Sequence, residues 1–373
     1  MDTISHGIAG AVFGRSLTDR PGARVALVVG AAAAMLPDLD FLYISSRLAY
    51  LREHRGWTHS FLVMPFLALA VALVAKLFVR SARLTVLWGF AAVGVTSHIL
   101  FDWITSFGTM FWTPVSRGRH SLDWVFILDP WFTGIVLVAL VLALRGGARS
   151  RRIAAAGSVL LLLYIGFCAV MHARALAIWK RLDAPPASAK VAVLPQFLSP
   201  FRWLGLSERP GSIHYAFFDV GPFARGVAEP QPPRKWSEIV RSLRDSYPAP
   251  EKARIHRLER PPDSPVLEAA RSLPDVRTYL AFARFPLETV TPLGGGGSEV
   301  VVQDLRFLPW FTGPWERGGE QGLRREPFVY RVRFDAALQV VDRGFVRDGR
   351  SEESGSAAAA TGGSSAGSVK VRP

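Results

Sequence analysis

Two side chains that can bind a metal ion lie four residues apart within an apolar run. His98 and Asp102 would share one face of a helix, because residues four apart stack along an α-helix, so one cation can contact both. For this pair alone, a hydrogen-bonded His/Asp contact that ties helices together is the alternative. Ionisable groups at membrane depth are costly, so we expect both side chains to face a protein interior.

A second group of candidate ligands precedes another apolar run. The segment His54–Ser60 holds histidines at both His54 and His59, and these converge only if the backbone turns, which Gly56 permits. Arg55 adds a cation whose two-pronged geometry suits a phosphate or a carboxylate. The alternative is a polar interfacial loop in which Trp57 is a membrane-belt aromatic.

A third group combines two carboxylates with a histidine near the start of the chain. Pro37 stops a helix, and Asp38 and Asp40 then project to one side of the chain, where they repel unless they share a cation. An Asp-rich helix end is the alternative. His6 begins another helix and is a further candidate, although a lone histidine is more often structural. Such groups at several apolar helix ends together predict a divalent-metal site.

The composition indicates a membrane protein. Hydrophobic residues make up 50% of the 373 residues, and the mean hydropathy is positive. The net charge of +14 is spread along the chain and flanks apolar runs, so we expect no nucleic-acid partner. The single cysteine, Cys168, excludes an intrachain disulfide and a cysteine-based zinc site. The N-terminal residues do not have the pattern of a removable signal peptide.

Four apolar runs reach the length of about 20 residues that crosses a bilayer. Two shorter runs precede them, Ile4–Leu17 and Val25–Leu36, and the second is about half a bilayer thick. We expect these two to form short, tilted or partly embedded helices. The four predicted spans are Phe61–Val79, Leu84–Ile104, Val125–Leu144 and Ile153–Met171.

The distribution of arginine predicts an orientation in a cytoplasmic (inner) membrane. Arginines lie between the first and second spans and between the third and fourth, and short cytoplasmic loops carry such charges. The candidate ligands and everything after Met171 would then lie on the outer face. The basic residues that fit are Arg15, Arg20, Arg24, Arg80, Arg83, Arg145, Arg149, Arg151 and Arg152, and those that count against it are Arg117, Arg119, Arg174, Lys180 and Arg181.

The composition changes after Lys180, where hydropathy falls and Pro185-Pro186 begins a linker. Alternating polar and apolar residues predict strands, and two segments are typical of amphipathic helices. We therefore expect a mainly α protein: a polytopic helical membrane domain (1–180), an extramembrane α+β domain (185–350) and a disordered tail (351–373). The predicted strands are Ser212–Val220, Glu299–Phe307 and Phe328–Val341; the helices are Arg234–Tyr247 and Pro265–Leu273; and Gly294–Gly297 is a predicted turn.

Several motifs together carry a family resemblance: Thr3–His6, Pro37–Asp40, His54–Ser60, His98–Asp102, Phe107–Thr109 and Asp129-Pro130. Their combination resembles the YdjM-like family of bacterial membrane-bound, metal-dependent hydrolases over roughly residues 1–180. Pro195–Trp203 is similar to a segment that follows the membrane region in longer members. The family also looks distantly similar to zinc-dependent phospholipases C and P1-type nucleases, which are helical enzymes that cleave phosphate esters.

The resemblance implies a hydrolase that uses zinc, with the ligand set His6, Asp38, His54, His59, His98 and Asp102. A divalent ion would acidify a water molecule for attack on an ester. Asp38 or Asp40 would orient that water, unless fully engaged as a ligand, and Arg55 would bind a phosphate oxygen. Asp123 and Asp129 either support the ligands or close a helix end.

The position of the ligands beside the bilayer, together with the similarity to enzymes that cleave phosphate esters, suggests a lipid or a lipid-linked phosphate ester as the substrate. The rival is a non-enzymatic, metal-stabilised membrane scaffold that binds an extracytoplasmic partner, and it predicts closed coordination without activity. Transport is disfavoured because the candidate ligands cluster at helix ends rather than at the bilayer midplane.

Overall fold

The computed structural model describes residues 1–19, 22–224, 245–308, 328–347 and 350–351. Within these ranges helices come first and two antiparallel sheets follow, so the predicted mainly helical fold with a C-terminal α+β part is confirmed. Most of the predicted helix Arg234–Tyr247, and the predicted disordered tail after Ser351, lie outside the described residues.

Two of the apolar helices in the helical half begin at an aspartate cap. Asp2 accepts a hydrogen bond from Ser5 N (2.9 Å), and Asp129 accepts one from Phe132 N (2.8 Å), which satisfies amide groups that have no partner inside the helix. In the described chain the helices of this half are α1 (Thr3–Ser16), α2 (Ala23–Met35), α3 (Arg47–Glu53), α4 (Met64–Phe78), α5 (Leu84–Trp103), α6 (Pro130–Arg145) and α7 (Ser150–Asp183).

Among the described residues, three helical segments are long and apolar enough to cross a membrane: Ala23–Leu42, Leu84–Trp103 and Gly147–Asp183. A fourth candidate is the pair Arg47–His59 and Met64–Phe78, which is bent by 74° at its break. Large apolar side chains point outward from these segments, as expected for helices in contact with lipid. Pro130–Arg145 is apolar but shorter than a span.

The boundaries of three apolar runs differ from the sequence-based prediction by five residues or more. The fourth predicted span, Ile153–Met171, continues as α7 to Asp183. The short run Val25–Leu36 is longer than expected, because α2 continues through the 3₁₀ segment Leu36–Leu42. The third predicted span, Val125–Leu144, loses its first residues, because the helix begins only at Pro130, after the Asp129 cap. Proline is favoured at a first helical position, where its missing N–H is not needed.

Close contacts between α1, α2 and α5 depend on glycine. A Cβ atom at Gly10 would lie 2.4 Å from the carbonyl oxygen of Gly30, and one at Gly94 would lie 2.5 Å from the same oxygen. Small residues let helix backbones approach closely, which is a common way of packing helices in membranes. This contact places the C-terminal end of α5 beside the end of α2, where the candidate ligands lie.

The C-terminal half contains two antiparallel sheets with sequential strand order, and two short helices pack against the second sheet. The prediction of a helix at Pro265–Leu273 and of a turn at Gly294–Gly297 is confirmed. The first sheet comprises β1 (Lys190–Gln196), β2 (Ser199–Arg209), β3 (Ser212–Asp219) and β4 (His256–Glu259); the helices are α8 (Pro265–Ser272) and α9 (Pro274–Phe282); the second sheet comprises β5 (Pro286–Pro292), β6 (Ser298–Asp304), β7 (Val329–Phe334), β8 (Val340–Arg347) and β9 (Arg350–Ser351).

The predicted single strand Phe328–Val341 is a hairpin. Strand β7 ends at Phe334, and β8 begins at Val340. The Asp335 side chain accepts hydrogen bonds from Ala337 N (2.9 Å) and Gln339 N (2.8 Å), which closes a tight turn between the strands. Continuous alternation concealed this turn, because the sequence there has neither glycine nor proline.

The two halves of the described chain touch directly. Arg306, just after β6, donates to the carbonyl oxygens of Ser106 (3.1 Å) and Phe107 (2.9 Å). Arg284 forms an ion pair of 2.7 Å with Asp123. The loop that follows α5 is therefore held by side chains of the C-terminal half.

Candidate metal centre

Four donor side chains meet where three helical segments end. Asp38 lies in the 3₁₀ segment that continues α2, and His59 lies in the 3₁₀ segment Trp57–His59 before α4. His98 and Asp102 are one turn apart at the end of α5, as their spacing indicates. All four are buried, and their donor atoms lie within 4.8 Å of one another.

The shortest contacts join one nitrogen or oxygen atom from each of these residues. Nε2 of His59 lies 3.0 Å from Nε2 of His98, 3.1 Å from Asp102 Oδ2 and 3.6 Å from Asp38 Oδ1. Nε2 of His98 lies 3.4 Å from both carboxylate oxygens. Four donors around one cation form a tetrahedron with edges of about 3.3–3.4 Å when each donor is about 2.0–2.1 Å from the ion. These contacts match that size.

The hydrogen bonds around the cluster leave the donor atoms that face its centre available to bind a metal ion. Nδ1 of His98 lies 2.6 Å from the carbonyl oxygen of Ala34, which can only accept, so Nδ1 carries the proton and the Nε2 lone pair faces inward. Thr58 Oγ1 lies 2.9 Å from Nδ1 of His59. The inner oxygen of Asp102, Oδ2, is buried without a hydrogen-bond partner. A donor set of this kind suits a cation.

The outer oxygen of Asp102 is held by positive and polar groups. Nη2 of Arg55 lies 2.9 Å from Oδ1, and His6 Nε2 lies 3.1 Å from the same atom. The backbone nitrogen of Met1 also contacts it. Nη1 of Arg55 donates to Thr105 Oγ1 (2.9 Å), whereas its buried Nε has no partner. The guanidinium therefore fixes the orientation of the Asp102 carboxylate.

A second His/Asp pair lies beside the cluster. Nδ1 of His54 is 2.9 Å from both oxygens of Asp40, and the His54 and His59 rings are 5.6 Å apart, edge to face. His6 stacks on His98 with a centroid distance of 3.7 Å. Of the residues singled out by sequence, the structure thus brings four into one donor set and leaves His6, Asp40 and His54 in contact with its rim.

A tight turn separates the two histidines of the His54–Ser60 segment. Arg55 has φ +61°, and a Cβ at Gly56 would lie 2.8 Å from the carbonyl oxygen of Glu53. The backbone therefore turns here, as the glycine indicates, but the positive φ falls on Arg55. Such strain is common where the surroundings fix a functional residue, and here Arg55 is buried and bonded to Asp102.

Sequence reasoning missed several supporting groups. The hydroxyl of Thr3 donates to Asp38 Oδ2 (2.7 Å), and Thr105 supports Arg55. Thr3 belongs to the Thr3–His6 motif, so the sequence offered a reason to expect it near the donor residues. The role of the Ala34 carbonyl could not be predicted from the sequence, because any residue type supplies a backbone carbonyl.

Residues 1–175 match the family model described as YdjM inner membrane protein. The family resemblance is thereby confirmed for the helical half, and the description agrees with the three candidate spans. The Uncharacterized protein YfhP of Bacillus subtilis (strain 168) is 27% identical over 156 residues, which are 40% of this chain and 48% of that protein. The chain thus matches about half of that relative's length. No solved structure matches. The similarity to phospholipases C and P1-type nucleases stays a prediction.

A cavity of about 730 Å³ opens from the donor set of the YdjM-like region toward the C-terminal half. Asp38, Asp40, His54 and Arg55 line its polar end. Its other walls are largely apolar and come from both halves, including Phe41, Phe107, Phe126, Phe197, Phe307 and Leu308. The cavity therefore has one charged end and one apolar end.

The loop that carries His54 is held by another arginine. Arg119 donates to the carbonyl oxygens of Leu51 (2.7 Å) and His54 (3.1 Å). Burial and the nearby guanidinium groups of Arg306 and Arg55 lower the pKa of Arg119 to about 9. Arg119 therefore fixes the backbone of the loop that brings His54 to the polar end of the cavity.

Asp123 and Asp129, which follow the four donor residues in the sequence, do not contact them. Asp129 caps α6 and accepts a hydrogen bond from Tyr164 (2.8 Å), and Asp123 pairs with Arg284. Of the two roles left open by the sequence, closing a helix end applies to Asp129. Asp123 instead joins the two halves of the chain.

Proposed function

We propose that the chain is a membrane-bound hydrolase in which Asp38, His59, His98 and Asp102 hold one zinc ion. The observation that carries this proposal is the set of four buried donor atoms, five of whose six separations are 3.0–3.6 Å, beside a cavity with one charged end. Two imidazole nitrogens and two carboxylate oxygens suit zinc, which accepts both kinds of donor in four-coordinate sites.

Zinc held at this point would supply Lewis acidity, which makes water a better nucleophile at neutral pH and stabilises charge that develops on an ester. The Asp40–His54 pair supports the proton transfer. Asp40 fixes the ring of His54 through Nδ1, so His54 can take the proton of the attacking water at its other nitrogen. Arg55 Nε, buried without a partner, can donate to an oxygen of the substrate.

The shape of the cavity supports an amphiphilic phosphate ester as the substrate. Aromatic and aliphatic side chains cover the end away from the donor set, where a hydrocarbon chain gains from leaving water. The charged end suits a phosphate ester. A lipid or a lipid-linked phosphate would reach this site from the bilayer, with its phosphate at the charged end of the cavity and its hydrocarbon chain at the apolar end.

We also propose that the site and the C-terminal half face the outer side of the membrane. Arginines lie at the other ends of the helices, at Arg80 and Arg83 after α4 and at Arg145, Arg149 and Arg151 around the junction of α6 and α7. Short loops with such charges are retained in the cytoplasm. Labelling of whole cells with a thiol reagent that does not cross the membrane tests this orientation. In a chain lacking Cys168, we expect Ser188→Cys to be labelled and Arg80→Cys to be protected.

Metal analysis of the detergent-purified chain tests the metal site first. We expect about one zinc per wild-type chain and a loss of most of it in His59→Ala and His98→Ala, because each change removes one of four donors. His120→Ala is the control, since His120 is exposed and lies outside the donor set. Equal metal content in all four proteins would contradict the metal site.

Activity is tested next on phosphomonoesters, phosphodiesters and lipid phosphates. We expect His54→Gln and Asp40→Asn to keep the metal and to lower kcat about 100-fold or more, because general-base catalysis contributes about that factor. Full activity in both variants would contradict the proposed role of the Asp40–His54 pair.

One observation favours the rival scaffold function. The donor set already supplies four protein ligands, and closed tetrahedral sites are typical of structural zinc. A scaffold would bind zinc and lose stability on chelation, yet it would hydrolyse none of these substrates after reconstitution. The metal analysis and the activity assays together therefore separate the two functions.

A further inference from the structure

A second cavity, of about 830 Å³, lies between the loop after α5 and the C-terminal half. It shares only Arg306 with the cavity beside the metal centre, and none of the four donor residues lines it. Its walls come from five parts of the described chain: Phe61, the segment Trp103–Leu122, Lys190 at the start of β1, the segment Ala281–Arg284 at the end of α9, and Arg306.

Positive charge dominates this second cavity. Its lining contains no aspartate or glutamate among the described residues, but it contains five basic side chains: Arg117, Arg119, Lys190, Arg284 and Arg306. Three of these pair with carboxylates outside the lining. Arg117 pairs with Glu53, Arg284 with Asp123, and Arg306 with Asp304.

The remaining two cations have no carboxylate within ion-pair distance in the described part of the chain. Arg119 donates to three backbone carbonyl oxygens, and Lys190 donates to the carbonyl oxygen of Arg284 (2.6 Å). Partial burial lowers the pKa of Lys190. Two positive charges are thus left to face the cavity, where an anion would balance them.

Aromatic residues place this cavity at the level of a membrane surface. Trp103 ends α5, a candidate span, and Phe61 lies just before α4. Trp112, also in the lining, is 48% exposed, and Phe111 stacks on the ring of His120 at 5.4 Å. Tryptophan is enriched at the headgroup level of bilayers, and basic pockets at that level bind lipid phosphates.

We propose that the second cavity is a binding site for a phosphate-bearing anion, held by Arg117, Arg119 and Lys190. The exposed guanidinium of Arg117 presents N–H groups in a planar fork that matches phosphate oxygens, and Lys190 adds a point charge. Nη1 and Nη2 of Arg119 already donate to carbonyl oxygens, so Arg119 contributes its positive charge. The volume exceeds that of one phosphate ion, so it accommodates the headgroup of an anionic phospholipid as well as a soluble phosphate. This site is separate from the metal centre and does not depend on hydrolysis.

Calorimetric titration of the full chain in neutral detergent tests the proposal with three probes: dihexanoyl phosphatidylglycerol, dihexanoyl phosphatidylcholine and inorganic phosphate. We expect saturable binding of phosphatidylglycerol or of inorganic phosphate, with no comparable binding of phosphatidylcholine. Binding of phosphatidylglycerol alone assigns the site to a lipid headgroup, and binding of inorganic phosphate alone assigns it to a soluble anion. Binding of both identifies phosphate itself as the recognised group.

Matched variants connect that binding to the cavity. Arg117 and Arg52 both pair with Glu53 and are both exposed, but only Arg117 lines the cavity. We expect Arg117→Gln and Lys190→Gln each to weaken binding about tenfold, which is about 1.4 kcal/mol, while Arg52→Gln and Lys252→Gln leave it unchanged. The proposal is overturned if none of the probes binds, if phosphatidylcholine binds equally well, or if the control variants weaken binding as much as the cavity variants.

Discussion

The buried contact between Arg55 and Asp102 yields the sharpest stability prediction. Arg55→Met removes the 2.9 Å ion pair and the 2.9 Å hydrogen bond to Thr105, and it leaves the Asp102 carboxylate fully buried. Removing one partner of a buried ion pair costs about 3–5 kcal/mol when the other charge is left without compensation, and the remaining contacts of Asp102 with His6 and the Met1 nitrogen set the loss toward the lower end of that range. We expect the free energy of unfolding of the chelator-treated protein to fall by that amount.

Zinc should restore part of this loss. With Arg55 gone, a bound divalent cation replaces part of the positive charge that faced Asp102, so it stabilises the variant more than it stabilises the wild type. We expect the difference between the two proteins to narrow by about 1 kcal/mol or more when zinc is in excess. Denaturant unfolding of the detergent-solubilised chain, followed by tryptophan fluorescence with chelator and with zinc, measures both quantities.

Arg52→Met is the matched control for this experiment. Arg52 is three residues earlier, is exposed, and pairs with Glu53 at the surface, so its loss should change stability by no more than about 0.5 kcal/mol. The reasoning fails if Arg55→Met unfolds like Arg52→Met, or if zinc stabilises wild type and Arg55→Met equally.

Two further predictions concern the frame around the site. Gly94→Ala should destabilise the chain by about 1–3 kcal/mol, because its Cβ would lie 2.5 Å from a carbonyl oxygen of α2, whereas Gly89→Ala on the same helix meets nothing within 4 Å. Thermal unfolding compares the two, and equal effects would contradict the close packing of α5. Asp123→Asn should loosen the junction held by Arg284 and speed proteolysis of the segment between α7 and β1, whereas Asp263→Asn, an exposed ion-pair partner, should not. Unchanged cleavage in both variants would show that the junction does not depend on this ion pair.

The donor residues could be found from the sequence because part of their geometry is local. His98 and Asp102 are one helical turn apart, and this spacing alone places them on one face. The rarity of such groups beside apolar runs identified Asp38 and His59 as well. Which atoms would meet was not predictable, because the approach of α2 to α5 depends on contacts between residues distant in sequence, such as Gly30 and Gly94.

The remaining differences between prediction and structure have physical causes that are hard to recognise in the sequence. Arg55 looked suited to a phosphate, yet two of its nitrogens hold Asp102 and Thr105, because a guanidinium serves an internal carboxylate as well as a ligand. The continuation of α2 as a 3₁₀ segment through Pro37 was hidden, since proline usually ends a helix but is tolerated in its first turn.

The broken backbone at the metal centre explains why the C-terminal half matters to it. Irregular backbone beside a bilayer is stable only where protein supplies the missing hydrogen bonds. Around His59 the loop after α5 supplies them: Phe61 N donates to the carbonyl oxygen of Phe111 (3.0 Å), and Met110 N donates to that of Arg55 (2.9 Å). Arg306, from the C-terminal half, holds the carbonyl oxygens of Ser106 and Phe107 in the same loop. A side chain outside the residues that the family model matches therefore supports the loop that supplies these hydrogen bonds.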